Sequence, residues 1–99
     1  MIKVLKRGKN KQLEISGELT IYTANEFKTA LLKHFKNLVS LELDLSKVSD
    51  LDTAGIQILR VAHKDLAKQG IQLNVVNHSA ATLEAFKLYK LHGTQDWLA

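Results

Sequence analysis

Between Leu41 and Gln69 the spacing of apolar residues changes from two to about 3.6 across one short junction. Leu41, Leu43 and Leu45 alternate with Glu42 and Asp44, as in a strand with one buried face. From Ile56 onward, Ile58, Leu59, Ala62, Leu66 and Ala67 share a broad helical arc with Ile56, while Gln57, Arg60, Lys64, Asp65 and Lys68 cover the other side. Val61 falls among the polar residues of that helix, and Gly70 stands where a helix stop belongs. The junction is Asp50-Leu51-Asp52-Thr53-Ala54-Gly55-Ile56, preceded by Ser46-Lys47-Val48-Ser49-Asp50, which reads as a loop. A strand feeding directly into a helix requires a crossover, so this strand and the next one in the chain pair in parallel.

The flanking segments extend the same logic. Ile2 and Val4 alternate with Lys3 and Leu5, a weak strand; Leu13 and Ile15 alternate with Glu14 and Ser16, a clearer one ending at Gly17. Gly8 and Asn10 between them predict a hairpin with antiparallel pairing. Gly17-Glu18-Leu19-Thr20 reads as a connection. Thr23-Ala24-Asn25-Glu26 has the spacing of a capping box, with Tyr22 and Phe27 at the two staple positions. The helix it opens carries Phe27, Ala30, Leu31, His34, Phe35 and Leu38 on one face. Ile71, Leu73 and Val75 form a fourth strand. Ser79 caps a third helix that runs to about Lys90, with Ala81, Ala85, Phe86, Leu88 and Tyr89 on one side. His92-Gly93 stops it, and Trp97 and Leu98 in the tail are expected to cover an open end of the core.

The element order is therefore β-β-α-β-α-β-α. Right-handed crossovers that keep moving in one direction put both crossover helices on one sheet face. The strands alternate apolar and polar residues, whereas a parallel sheet covered on both faces reads as continuously apolar. The expected fold is α/β of the two-layer α+β kind: a mixed four-stranded sheet in order 1-2-3-4 with helices mainly on one face. Glu14, Glu42, Asp44, Gln72 and Asn74 are expected on the other face, open to solvent at least in part. Ninety-nine residues make one domain, 1–99.

Composition excludes several function classes. Cysteine and proline are absent, so neither a disulfide framework nor thiol chemistry is available. No apolar run is long enough to span a membrane, and the N-terminus lacks the apolar core of a secretory signal, so a cytoplasmic protein is expected. The net charge is +4, but its one cluster, Lys6, Arg7, Lys9 and Lys11, lies in a hairpin turn without the interleaved aromatics of a nucleic-acid site. No glycine-rich phosphate loop and no His-x-x-x-His pair occur; His34, His63, His78 and His92 are scattered. Asp50 and Asp52 alone do not make an acid–base pair. The chain reads as a non-enzyme with no cofactor, no metal and no nucleic-acid partner.

What remains is Thr53, between two acids and a glycine, in the loop after the carboxyl end of a parallel strand, where open α/β sheets place their sites. Ala54 and Gly55 leave little bulk beside it. A phosphate there adds about −1.5 to −2 charge, attracted by the helix N-terminus and repelled by Asp50, Asp52 and any acidic partner. The plainer reading is that Asp52 or Thr53 is a helix N-cap and Gly55 lets the helix pack on the sheet.

Leu43-Asp44-Leu45-Ser46 followed by Leu51-Asp52-Thr53-Ala54-Gly55-Ile56 resembles the signature of STAS domains, the anti-sigma factor antagonists and their relatives. Gly17-Glu18-Leu19 and Thr23-Ala24 match that family's other recurring segment. The resemblance implies a regulator whose partner is a protein: a serine/threonine kinase acting as anti-sigma factor, or another signalling protein, with a phosphatase to reset it. It implies Thr53 as the phosphoacceptor, with Thr20, Asp50, Asp52, Ala54, Gly55, Gln57 and Arg60 around it as the docking surface. Thr53 stands where serine is commoner, and Thr20 where many members carry aspartate. The run Gly17 to Ala24 is similar to STAS proteins encoded beside bacterial chemotaxis genes. A constitutive scaffold or subunit of a lipid-transport or chemotaxis complex, and a small-ligand sensor using the same loop, are the alternatives.

Overall fold

The computed structural model describes residues 1–88. Its elements follow the expected order: β1 (Ile2–Lys6), β2 (Asn10–Leu19), α1 (Ala24–Leu32), β3 (Ser40–Leu51), α2 (Thr53–Lys68), β4 (Gln72–Val76) and α3 (Ala80–Leu88). The sheet runs β1-β2-β3-β4. β1 is antiparallel to β2, while β2–β3 and β3–β4 are parallel. The buried face carries Leu13, Ile15, Leu41, Leu43, Leu73 and Val75, each at most 1% exposed. Glu14, Glu42 and Asn74 on the alternate positions are half-buried and Gln72 is exposed. Residues 89–99, with the expected end of α3 at Lys90, Tyr89, the His92-Gly93 stop, Trp97 and Leu98, lie outside the described residues.

The sequence-based boundaries of β2 and β3 are too short. β2 continues through Gly17 and Glu18 to Leu19, and β3 continues through the presumed loop to Leu51. The reason is two register shifts against β2, between the pairs Glu14↔Asp44 and Ser16↔Lys47 and between Gly17↔Val48 and Glu18↔Asp50. Each inserts one extra residue on the β3 side, as in a β-bulge. The buried positions of the strand's second half are consequently Leu45, Val48 and Leu51, three apart rather than two. An aspartate serves each irregularity: Asp44 Oδ1 accepts the Ser46 amide at 2.9 Å, and Asp50 Oδ1 accepts the Leu51 amide at 2.9 Å.

Asp44, expected on the solvent side, is only 8% exposed. Its second oxygen accepts from Asn77 Nδ2 at 2.9 Å, so both carboxylate oxygens are satisfied on burial. Burial by itself raises the pKa of this carboxyl. Hydrogen bonds from Ser46 and Asn77 and the nearby Lys47 charge outweigh it and hold the group below the ordinary carboxylate value.

Both ends of α1 depart from expectation, while the end of α2 and the start of α3 meet it. The Thr23–Glu26 capping box does not form: Thr23 is helical in φ and ψ and makes no side-chain cap. Its hydroxyl is used in the preceding loop, where it donates to the Glu18 carbonyl at 2.8 Å and accepts the Thr20 amide at 3.1 Å. The staple fails as well, because Tyr22 is 90% exposed while Phe27 is fully buried. α1 ends at Leu32, before His34, Phe35 and Leu38; these three remain half-buried, and Asn37 turns the chain with φ 57°. α2 closes as expected at Gly70, with φ 76°. The Gly70 amide donates to Ala67 and the Ile71 amide to Leu66, the two bonds of a Schellman motif. Ser79 caps α3 by accepting the Thr82 amide at 3.1 Å. On α3 Ala85 and, unexpectedly, Thr82 are buried and Phe86 packs against the core as expected, while Leu88 is 74% exposed.

Candidate functional site

At the carboxyl ends of β2 and β3 the chain leaves the sheet twice, into the loop at residues 20–23 and into α2. Asp52 joins the two exits. It sits at the N-cap of α2 in an extended conformation, and its Oδ1 accepts the Gly55 amide at 3.1 Å. Its Oδ2 accepts the Ile21 amide at 3.0 Å, and its own amide donates to the Leu19 carbonyl at 3.2 Å. One carboxylate thus supplies an acceptor to a free amide of the helix N-terminus and another to the loop that precedes α1.

Gly55 fixes how closely these parts approach. It is buried, and a Cβ on it would overlap the Leu19 carbonyl oxygen and lie 2.6 Å from Leu51 Cδ1. The first turn of α2 therefore rests directly on the backbone of β2, and no side chain fits between them. The loop is rigidified from within: Thr20 Oγ1 accepts the Tyr22 amide at 3.3 Å, and the Thr20 carbonyl accepts the Thr23 amide at 3.0 Å.

This geometry sorts the residues expected to dock a partner. Thr53, the first residue of α2, is exposed, and its hydroxyl takes no part in the hydrogen bonds that organise the loop. Gln57 is exposed one turn further on, and Ala54 and Arg60 are half-buried. Asp50 is exposed at the end of β3. Asp52 is half-buried with both oxygens committed to backbone amides, and Gly55 is buried. Thr20, only 4% exposed, turns its side chain into the loop, where its hydroxyl oxygen accepts the Tyr22 amide.

Two surface residues were missed. Ile21 and Tyr22 are 70% and 90% exposed, and the Asp52–Ile21 hydrogen bond holds them beside the start of α2. Local spacing points Tyr22 to a staple, and Ile21 carries no signal in the sequence. Val61, which fell among polar residues on the helical wheel, is 48% exposed. Thr53, Gln57 and Val61 recur at four-residue intervals and make one stripe along α2. The site is thus a hydroxyl at a helix N-terminus, flanked by exposed apolar side chains and by the acids Glu18, Asp50 and Asp52. Among the described residues no group of three or more His, Asp or Glu could hold a metal ion, and no helix is long and apolar enough to cross a membrane.

No curated protein matches the chain. Among solved structures, an anti-sigma factor antagonist from Mycobacterium paratuberculosis is similar at 25% identity and a TM-score of 0.78, covering 91% of this chain and 77% of that one. The anti-sigma factor antagonist SpoIIAA in its unphosphorylated form superposes with a TM-score of 0.74 at 12% identity, over 92% of this chain and 82% of that one. The phosphorylated form of SpoIIAA, a Bacillus cell fate determinant, gives 0.71 at 12% identity over 100% and 89%. The likeness to SpoIIAA is one of fold. Residues 1–97 match the STAS domain family, and the chain belongs to that family.

Proposed function

We propose that this STAS domain is a phospho-switchable regulator that binds a protein partner through the face around Thr53. The observation that carries the reading is an exposed hydroxyl at the first position of α2 with Ile21 and Tyr22 exposed beside it. An aromatic and an aliphatic side chain left in water next to a modifiable hydroxyl suit a protein interface, where Tyr is enriched. The partner is a serine/threonine kinase or another signalling protein, and a phosphatase reverses the modification.

The electrostatics favour a switch of binding over a switch of fold. A phosphate on Thr53 gains from the free amides and dipole of α2. It is opposed by Asp52, which already holds the Gly55 amide, and by Asp50 nearby. These terms act against each other inside the molecule. On a docked partner the added charge of about −1.5 to −2 falls in a desolvated apolar contact and has no such compensation. The unmodified form therefore binds and the modified form releases.

Mass spectrometry of protein isolated from cells, with pull-downs of wild type, Thr53→Ala and Thr53→Glu, tests the proposal. The expected result is a phosphorylated fraction at Thr53 and partner capture by wild type and Thr53→Ala but not Thr53→Glu. Unmodified Thr53 with the same partners on all three forms overturns it in favour of a constitutive scaffold.

A further inference from the structure

The pole of the sheet opposite Thr53 carries a second feature. β2 begins at Asn10 and β3 at Ser40, paired side by side, and both run toward Leu19 and Leu51. At about 3.3 Å per residue, this start lies roughly 30 Å from the α2 N-terminus. Here the β1–β2 turn meets the segment after α1: the Lys9 carbonyl accepts the Val39 amide at 2.7 Å and the Ser40 amide at 3.1 Å, and Ser40 Oγ donates to Asn10 Oδ1 at 2.8 Å. A cleft of about 360 Å³ opens between them, lined by Arg7, Lys9, Lys11, His34, Lys36 and Asn37 among others, with no carboxylate among the described residues of its wall. That volume is within the range of small-molecule sites.

In sequence the lysines of residues 6–11 look like a solvated turn. Folding adds Lys36 and His34 from the other side of the cleft, so that four fixed cations from two separate segments face one concavity. Two of its residues are not freely solvated. Lys11 is half-buried and its Nζ donates to the His34 carbonyl at 3.5 Å. His34 is half-buried, and its pKa is lowered by burial and then by the Lys11 charge. Like charges gathered in one concave site repel each other, and an entering anion removes that cost. The Arg7 guanidinium offers a planar fork suited to phosphate oxygens, and the lysines add point charges. A concave wall fits a compact, multiply charged anion better than a flat acidic protein surface.

We propose that this basic cleft is a binding site for a multiply charged phosphate group, separate from the Thr53 face. Such a group belongs either to a soluble phosphate compound or to an anionic lipid headgroup, and two arms of one experiment distinguish them.

In the first arm the full chain is titrated with inorganic tripolyphosphate and followed by amide NMR. Saturable shifts are expected at Gly8, Lys9, Lys11 and Asn37, with Asp52 and Thr53 unmoved, and they weaken as salt screens the charges. In the second arm the chain is sedimented with vesicles of phosphatidylcholine with and without phosphatidic acid, whose phosphate monoester carries more than one charge near neutral pH. Retention only on the anionic vesicles, displaced by tripolyphosphate, assigns the group to a lipid; saturable shifts without retention assign it to a soluble phosphate. Lys9→Glu/Lys36→Glu, both at exposed positions, is expected to abolish binding. Lys64→Glu/Lys68→Glu on α2, with the same change in net charge, is expected to retain it. Shifts spread over all lysines, equal loss in both double variants, or no saturation in either arm overturns the proposal. The wild-type shift map decides the matter even if a variant fails to fold.

Discussion

The carboxylate of Asp52 accepts the backbone amide of Ile21 at 3.0 Å, linking residues 31 positions apart. The same carboxylate caps α2 through Gly55. The loop that carries Ile21 and Tyr22 is therefore tied to the helix that carries Thr53 by a single side chain. Asp52→Ala removes both acceptors. An N-cap loss costs about 1 kcal/mol, and the orphaned Ile21 amide adds to it. Urea unfolding is expected to show a loss of about 1–2 kcal/mol, and hydrogen exchange at Ile21 is expected to quicken more than exchange in β4.

Gly55→Ala tests the close approach of α2 to β2. Alanine gains up to about 1 kcal/mol of helix propensity over glycine. The new methyl, however, meets the Leu19 carbonyl, a backbone group that yields only if β2 moves, and Leu51 Cδ1, the tip of a buried side chain. Overpacking of this kind typically costs about 1–3 kcal/mol. The expected net effect is destabilisation, seen as a lower urea midpoint with an unchanged slope. A midpoint at or above that of wild type contradicts the packing described.

Ile21 and Tyr22 separate binding from stability. Both are exposed, so Ile21→Ser and Tyr22→Ala are expected to change unfolding free energy by no more than about 0.5 kcal/mol. If this face docks a protein, loss of an aromatic anchor weakens capture by more than about 1 kcal/mol. Thermal unfolding and quantitative pull-down on the same preparations give the two readouts. Loss of stability without loss of capture counts against an interface here.

Among the described residues, Asp44 and His34 each couple stability to acid. Asp44 is held below its ordinary pKa against the opposing effect of burial by the hydrogen bonds from Ser46 and Asn77 and by Lys47. A depressed carboxyl contributes stability above the unfolded pKa of about 3.9, and that contribution is lost as pH falls through the folded value. The stability difference between wild type and Asp44→Asn is expected to be constant from pH 7 to 5 and to shrink below about pH 4. His34 is also depressed, by burial and then by Lys11. Its neutral form is the one that fits the fold, so stability is lost as pH falls below about 6.5 toward the folded value. His34→Gln is expected to flatten the stability curve in that interval, as followed by denaturant titration at each pH.

The local periods of the chain were enough to determine the element order, the parallel pairing around β3 and the face that each strand buries. Those properties depend on which residues are apolar and how far apart they stand, and Leu13, Leu43 and Leu73 obey that rule. The position of Thr53 at a strand-to-helix junction was legible for the same reason. What depended on partners distant in sequence was not. Ser46 to Asp50 broke the strand period because two bulges against β2 shift the count, and only the pairing with β2 makes them strand. Thr23 had the spacing of a cap, but the Glu18 carbonyl and the Thr20 amide took its hydroxyl. Thr20 looked available and is buried, while Ile21 and Tyr22 looked like loop and staple and form the exposed apolar pair. The reason lies in Asp52: its second oxygen can be filled only by an amide that the fold brings from another part of the chain. That contact holds the loop backbone beside α2, with Thr20 turned inward and Ile21 and Tyr22 at the surface.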